Sequence, residues 1–97
     1  MSDWSFFTNY GHVIFLLSEN SKMTAREVGD RVGITERATQ KIIHNLEESG
    51  FIKIKKEGRN NRYKVVGRKK LRHDIEKNCR IDELVDFVSE KNSLSKP

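Results

Sequence analysis

Apolar residues recur along the chain with two different periods. Tyr10, Val13, Ile14 and Leu17 fall at i, i+3, i+4 and i+7. That spacing predicts a helix from about Tyr10 to Glu19, capped by Thr8 or Asn9. Phe15 and Leu16 make it apolar nearly all round, which suits the centre of a core or a subunit interface. Trp4, Phe6 and Phe7 precede it and need cover as well. After a break at Asn20-Ser21-Lys22, Thr24-Ala25-Arg26-Glu27 has the form of a capping box, in which hydroxyl and carboxylate satisfy each other's backbone N–H. A short helix follows to about Arg31, with Val28 and Val32 inward. Gly33 supplies the positive φ of a tight turn. Thr35 caps a third helix from Glu36 to about Ser49, and Gly50 stands at its C′ position.

From Phe51 the period changes to two. Ile52 and Ile54 alternate with Lys53 and Lys55, and Tyr63 and Val65 alternate with their neighbours, as strands do. Gly58-Arg59-Asn60-Asn61 between them has turn chemistry suited to a hairpin. A basic connection, Gly67 to Arg72, leads to an amphipathic segment with Ile81, Leu84, Val85 and Val88 on one face. The expected fold is mainly α with a small β-hairpin, of the α+β class. One domain covers residues 1–90, with helices paired over 24–49, the hairpin over 51–66 and a C-terminal helix over 80–90; residues 91–97 read as a flexible tail.

Charge sharpens this outline. The 97 residues carry a net charge of +5, but it is not spread evenly. Residues 51–72 hold ten Lys and Arg against one Glu, while both flanks are mildly acidic. A concentrated positive field favours a polyanionic partner. The single cysteine, Cys79, excludes a disulfide framework and fits a reducing cytoplasm. Met1 to Thr8 lacks the basic start of a signal peptide, and the longest apolar run, Val13 to Leu17, is too short to span a bilayer. A cytoplasmic protein without a membrane partner is expected. No Gly-rich phosphate loop, metal-spaced His/Glu pair or nucleophile–base set is present, so neither an enzyme nor a cofactor is expected.

Two capped helices joined by a short glycine-centred turn form a helix-turn-helix pattern. The second has an inner face of Ala38, Thr39, Ile42, Ile43 and Leu46. Its outer face carries Arg37, Gln40, Lys41 and His44 at i, i+3, i+4 and i+7. A helix that enters a major groove needs such donors outward and few carboxylates. Glu36 is the exception; it can accept from a cytosine amino group or favour the helix N-terminus electrostatically. The hairpin adds Arg59, Asn60, Asn61 and Arg62 near its tip, with Lys53, Lys55, Lys56 and Lys64 on its strands. A basic two-stranded tip can lie on phosphates or put an arginine into a minor groove.

The stretch Met23 to Ala38, together with Asn45-Leu46-Glu47-Glu48-Ser49-Gly50-Phe51-Ile52, resembles the winged helix-turn-helix regulators of the MarR and ArsR type, above all small one-domain prokaryotic members. The resemblance is strong over about 24–66 and looser at the two ends. It implies a three-helix core plus wing and a C-terminal helix, and binding of double-stranded DNA by a homodimer that regulates transcription. It implies base recognition by Thr35, Arg37, Gln40, Lys41 and His44, and phosphate contact by Thr24 and Arg26. It implies backbone or minor-groove contact by Arg59, Asn61 and Arg62 of the wing; for a DNA-binding protein, loss of Lys56 or Arg62 is expected to weaken all sequences alike. The clustered cysteines of ArsR-type metal sensors are missing, and the terminal helices are shorter than those of full MarR-type proteins. An effector is not named by any residue set.

Cys79 and His73 are too few to hold zinc, which needs three or four ligands, so no metal site is expected. His12 reads as a boundary histidine. Trp4, Phe7, Phe15, Leu84, Phe87 and Val88, from the two ends of the chain, are the expected dimer interface, because a two-fold contact buries leftover apolar surface and matches a palindromic operator. The main alternative is a winged-helix adaptor that offers the same faces to an acidic protein; a further one is single-strand or RNA binding through the wing and the aromatics.

Overall fold

The computed structural model describes residues 4–92. Its elements are α1 (Asn9–Glu19), α2 (Ala25–Val32), α3 (Glu36–Glu48), β1 (Ile52–Glu57), β2 (Asn60–Val65) and α4 (Ile81–Asn92). This is the expected α+β order of helices and one antiparallel hairpin.

Helix α1 packs against α2, α3, β2 and α4, which is why its sequence is apolar nearly all round. Val13, Ile14, Phe15 and Leu17 are buried there. Phe15, expected at a subunit interface, lies in the chain's own core at 7% exposure, with Phe7 set edge-on against it at 5.3 Å. Val28, Ile42, Ile43, Leu46, Phe51, Ile52, Tyr63, Ile81 and Val85 complete one continuous core. Burying an aliphatic or aromatic side chain of this size stabilises by about 1.5–3 kcal/mol relative to exposure.

The ends of α2 and α3 follow their sequence signals, whereas Thr8 stands at the N-cap of α1 without a side-chain capping bond. Glu27 N–H donates to Thr24 Oγ1 at 3.1 Å, and Thr24 N–H donates to Glu27 Oε1 at 2.9 Å, completing the capping box of α2. Gly33 ends α2 with φ +92°, and Ala38 N–H donates to the Thr35 hydroxyl oxygen at 3.0 Å to start α3. At the other end of α3, Phe51 N–H reaches Leu46 O at 2.9 Å and Gly50 N–H reaches Glu47 O at 3.0 Å, with Gly50 at φ +83°. That pair of bonds is a Schellman motif, closed by contact of two buried side chains, Leu46 and Phe51.

One packing contact was not visible in the pattern. A Cβ on Gly29 of α2 would lie 2.8 Å from Thr39 Oγ1 and 2.9 Å from Ile34 O. The missing side chain therefore lets α2 and α3 approach. Thr39 is fully buried, and its hydroxyl is satisfied by donating to Thr35 O at 2.9 Å.

The hairpin register pairs Ile52 with Val65, Ile54 with Tyr63 and Glu57 with Asn60. Its loop is only Gly58-Arg59, with Gly58 at φ +62°. Asn60 and Asn61, expected in the turn, are instead the first residues of β2, because a two-residue loop suffices once a glycine takes positive φ. Tyr63 N–H bonds Ser21 O at 2.9 Å and ties β2 to the α1–α2 connection.

The basic connection is also ordered by backbone pairing. Asp82 N–H reaches Gly67 O at 2.7 Å, Ile81 N–H reaches Lys69 O at 2.8 Å, and Leu71 N–H reaches Cys79 O at 2.9 Å, so residues 71–79 form a closed loop in front of α4. Gly67 is required because a Cβ would meet Asp82 Cβ at 2.9 Å. Helix α4 runs on to Asn92, so residues 91 and 92 of the expected tail are helical; 93–97 lie outside the described residues.

Candidate nucleic-acid interface

Helix α3 buries Thr39, Ile42, Ile43 and Leu46 and turns the opposite side to solvent. Arg37, Gln40, Lys41 and His44 are all exposed. The wing projects beside this face. Glu36, Gln40, His44 and Glu47 of α3 share a cleft of about 450 Å³ with Thr24, with Ile54 and Tyr63 of the strands, and with Arg59, Asn60 and Asn61 at the tip. Arg37 and Lys41 follow Glu36 and Gln40 by one position and so sit about 100° round the helix, on its flank away from the cleft. A helix surface and a hairpin tip thus border one concavity open to solvent, lined by hydrogen-bonding groups.

Residues 11–53 match the family model described as winged helix-turn-helix DNA-binding. That match runs from α1 into β1; the rest of the hairpin is established by the structure. The chain has a winged helix-turn-helix fold. Its fold is that of MarR family regulators. It is similar to the zinc-dependent MarR family transcriptional regulator AdcR in its Zn(II)-bound state, at 22% identity and a TM-score of 0.57, over 98% of this chain and 60% of that one. It is similar also to a Mycobacterium tuberculosis MarR family protein in complex with salicylic acid, at 16% identity and a TM-score of 0.56, over 94% of this chain and 66% of that one. The chain thus spans less than two thirds of the length of either. A search of curated proteins finds no match.

The side chains of the winged helix divide by what already holds them. Thr24 and Thr35 spend their hydroxyl oxygens as caps, which leaves the hydroxyl hydrogens to donate outward. Gln40 donates to Glu36 Oε2 at 3.4 Å, and His44 lies 3.5 Å from Glu48, so both amide and imidazole rest on neighbouring carboxylates. Arg62 pairs with Glu57 at 3.2 Å and reaches Ser21 Oγ at 3.5 Å, which fixes it against the body of the protein. Among the described residues, Arg26, Arg37, Lys41, Lys56 and Arg59 have no carboxylate within 4.0 Å. Of these five, Arg59 lines the cleft. Asn60 joins the cleft although the pattern read it as turn, and Ser21 is a contact that alternation alone does not signal.

The expected dimer residues differ in how far the single chain covers them. Phe7 and Leu84 line an apolar cleft of about 560 Å³, crossed at one side by the 2.7 Å bond from Asn45 Nδ2 to the Tyr10 hydroxyl. Trp4 and Phe87 are 69% and 63% exposed, and Val88 is half-buried on α4. Phe6 is still more open and stacks edge-on against Trp4 at 5.2 Å. Among the described residues no three His, Cys, Asp or Glu side chains gather closely enough to hold a metal ion, and no helix is long and apolar enough to cross a membrane.

Proposed function

We propose that the protein is a sequence-specific regulator of transcription that binds double-stranded DNA. Helix α3 enters the major groove, with Arg37, Gln40, Lys41 and His44 toward base edges and Thr35 near its first turn. Thr24 and Arg26 take phosphates. Lys56, Arg59, Asn61 and Arg62 take the flanking backbone or minor groove. The observation that carries this reading is the shared cleft: the polar face of α3 and the tip of a basic hairpin border one open concavity. A groove-binding helix beside a cationic wing presents donors to bases and charge to phosphates at once. The acting unit is a homodimer, supported by Trp4 and Phe87, large apolar side chains that the single chain leaves uncovered.

Selection of bound fragments from a random duplex pool tests this directly. The expected result is a palindrome with half-sites about one helical turn apart, and binding that weakens steeply with salt. Absence of duplex binding even at low ionic strength sinks the proposal. A nuclease-resistant complex with an acidic protein would put the adaptor role in its place.

A further inference from the structure

The two faces of the wing are chemically different. Ile52, Ile54, Tyr63 and Val65 point inward to the core and the α3 cleft. Alternation puts Lys53, Lys55, Arg62 and Lys64 on the opposite face, away from α3. The register sets Lys53 directly across from Lys64 and Lys55 directly across from Arg62. Like charges opposite each other in an antiparallel pair repel and weaken the hairpin. Glu57 relieves only Arg62; among the described residues, Lys53, Lys55 and Lys64 have no carboxylate within 4.0 Å. All three are exposed. Nothing in the core requires a cation at any of these positions. The chain thus carries a ladder of like charges on one exposed face, complementary to a polyanion.

We propose that the outer face of the wing is a second phosphate-binding surface, which takes the backbone of duplex flanking the segment held by α3, so that the DNA bends round the wing. This rests on the DNA-binding reading above. Lys53 and Lys64 form the fifth pair from the loop, toward the body end of the hairpin and on the face opposite α3, so a duplex held by α3 must bend to meet them.

The test compares the unaltered chain with the double variant Lys53→Gln/Lys64→Gln on a short duplex trimmed to the α3 and wing-tip footprint, and on a longer duplex that extends past the wing. On the long duplex the variant should lose about 1.8 from the magnitude of the log–log salt slope, at about 0.9 per phosphate released. On the short one the two proteins should agree. Without DNA the variant should melt higher, by about 2 °C, because a like-charge pair has gone. A slope independent of duplex length, an equal loss on both duplexes, or a melting temperature that does not rise overturns the proposal. So does capture of two labelled duplexes by one protein dimer that the variant abolishes, which would give the face to a second DNA molecule, or stronger competition by single-stranded RNA than by duplex at this face alone. If the unaltered chain binds no duplex at all, the DNA-binding reading fails and this one with it; if it binds duplex without the length effect, only this one fails.

Discussion

The contact at Gly29 makes the sharpest single test of how the two helices of the motif are held. In the interior of a helix, Gly→Ala ordinarily stabilises by about 1 kcal/mol through propensity alone. Here the added methyl meets Thr39 Oγ1 at 2.8 Å and Ile34 O at 2.9 Å, half an ångström or more inside the 3.4 Å at which ordinary contact begins. Neither neighbour yields easily. Thr39 is fully buried and bonded to Thr35 O, and Ile34 O belongs to the turn that sets the angle between α2 and α3. Overpacking of this kind costs about 1–3 kcal/mol, with the larger end expected where backbone is struck. Gly29→Ala is therefore expected to destabilise by about 1–2 kcal/mol net, a fall of about 5–15 °C in melting temperature for a domain of this size. Thermal denaturation followed by circular dichroism measures it. Thr39→Ala removes the struck hydroxyl, so the double variant Gly29→Ala/Thr39→Ala should be more stable than the sum of the single changes implies, by about 0.5 kcal/mol or more. A Gly29→Ala chain that melts above the unaltered one shows that propensity wins, and refutes the close packing of α2 on α3.

Other changes probe the remaining parts. Thr24→Ala removes the capping box and should cost about 1 kcal/mol, read in the same melt. Gln40→Ala should erode discrimination at one base pair by about 1–3 kcal/mol in competition against mismatched duplexes, whereas Arg59→Ala should weaken matched and mismatched duplexes alike. Equal effects of the two on both duplexes would contradict the assignment of base and backbone roles. Phe87→Asp should shift sedimentation toward monomer, because the ring is 63% exposed in the single chain and is expected to be covered in the dimer; an unaltered sedimentation profile removes Phe87 from the dimer contact.

Much of this protein was legible from local chemistry. The capping box at Thr24, the αL turn at Gly33, the cap at Thr35 and the stop at Gly50 are local in the chain, because each is decided by residues within a few positions of one another. The two faces of α3 and the inward row of the strands follow equally from period 3.6 and period 2. The turn is the local exception. Four residues with turn chemistry were available, and strand pairing claimed Asn60 and Asn61 because more ladder bonds form that way.

What the linear order withheld is whatever depends on residues far apart meeting. Gly29 reads as an indifferent helix residue until Thr39 and Ile34 arrive beside it. Phe15 has the look of an interface residue until α1 is seen to be surrounded by three other helices and a strand. Lys53 and Lys64 are two basic residues among many until the register sets them face to face. Hydrophobic period and caps are properties of single segments, so composition along the chain specifies them; close approach, burial and charge pairing are properties of two segments at once, and only folding decides them.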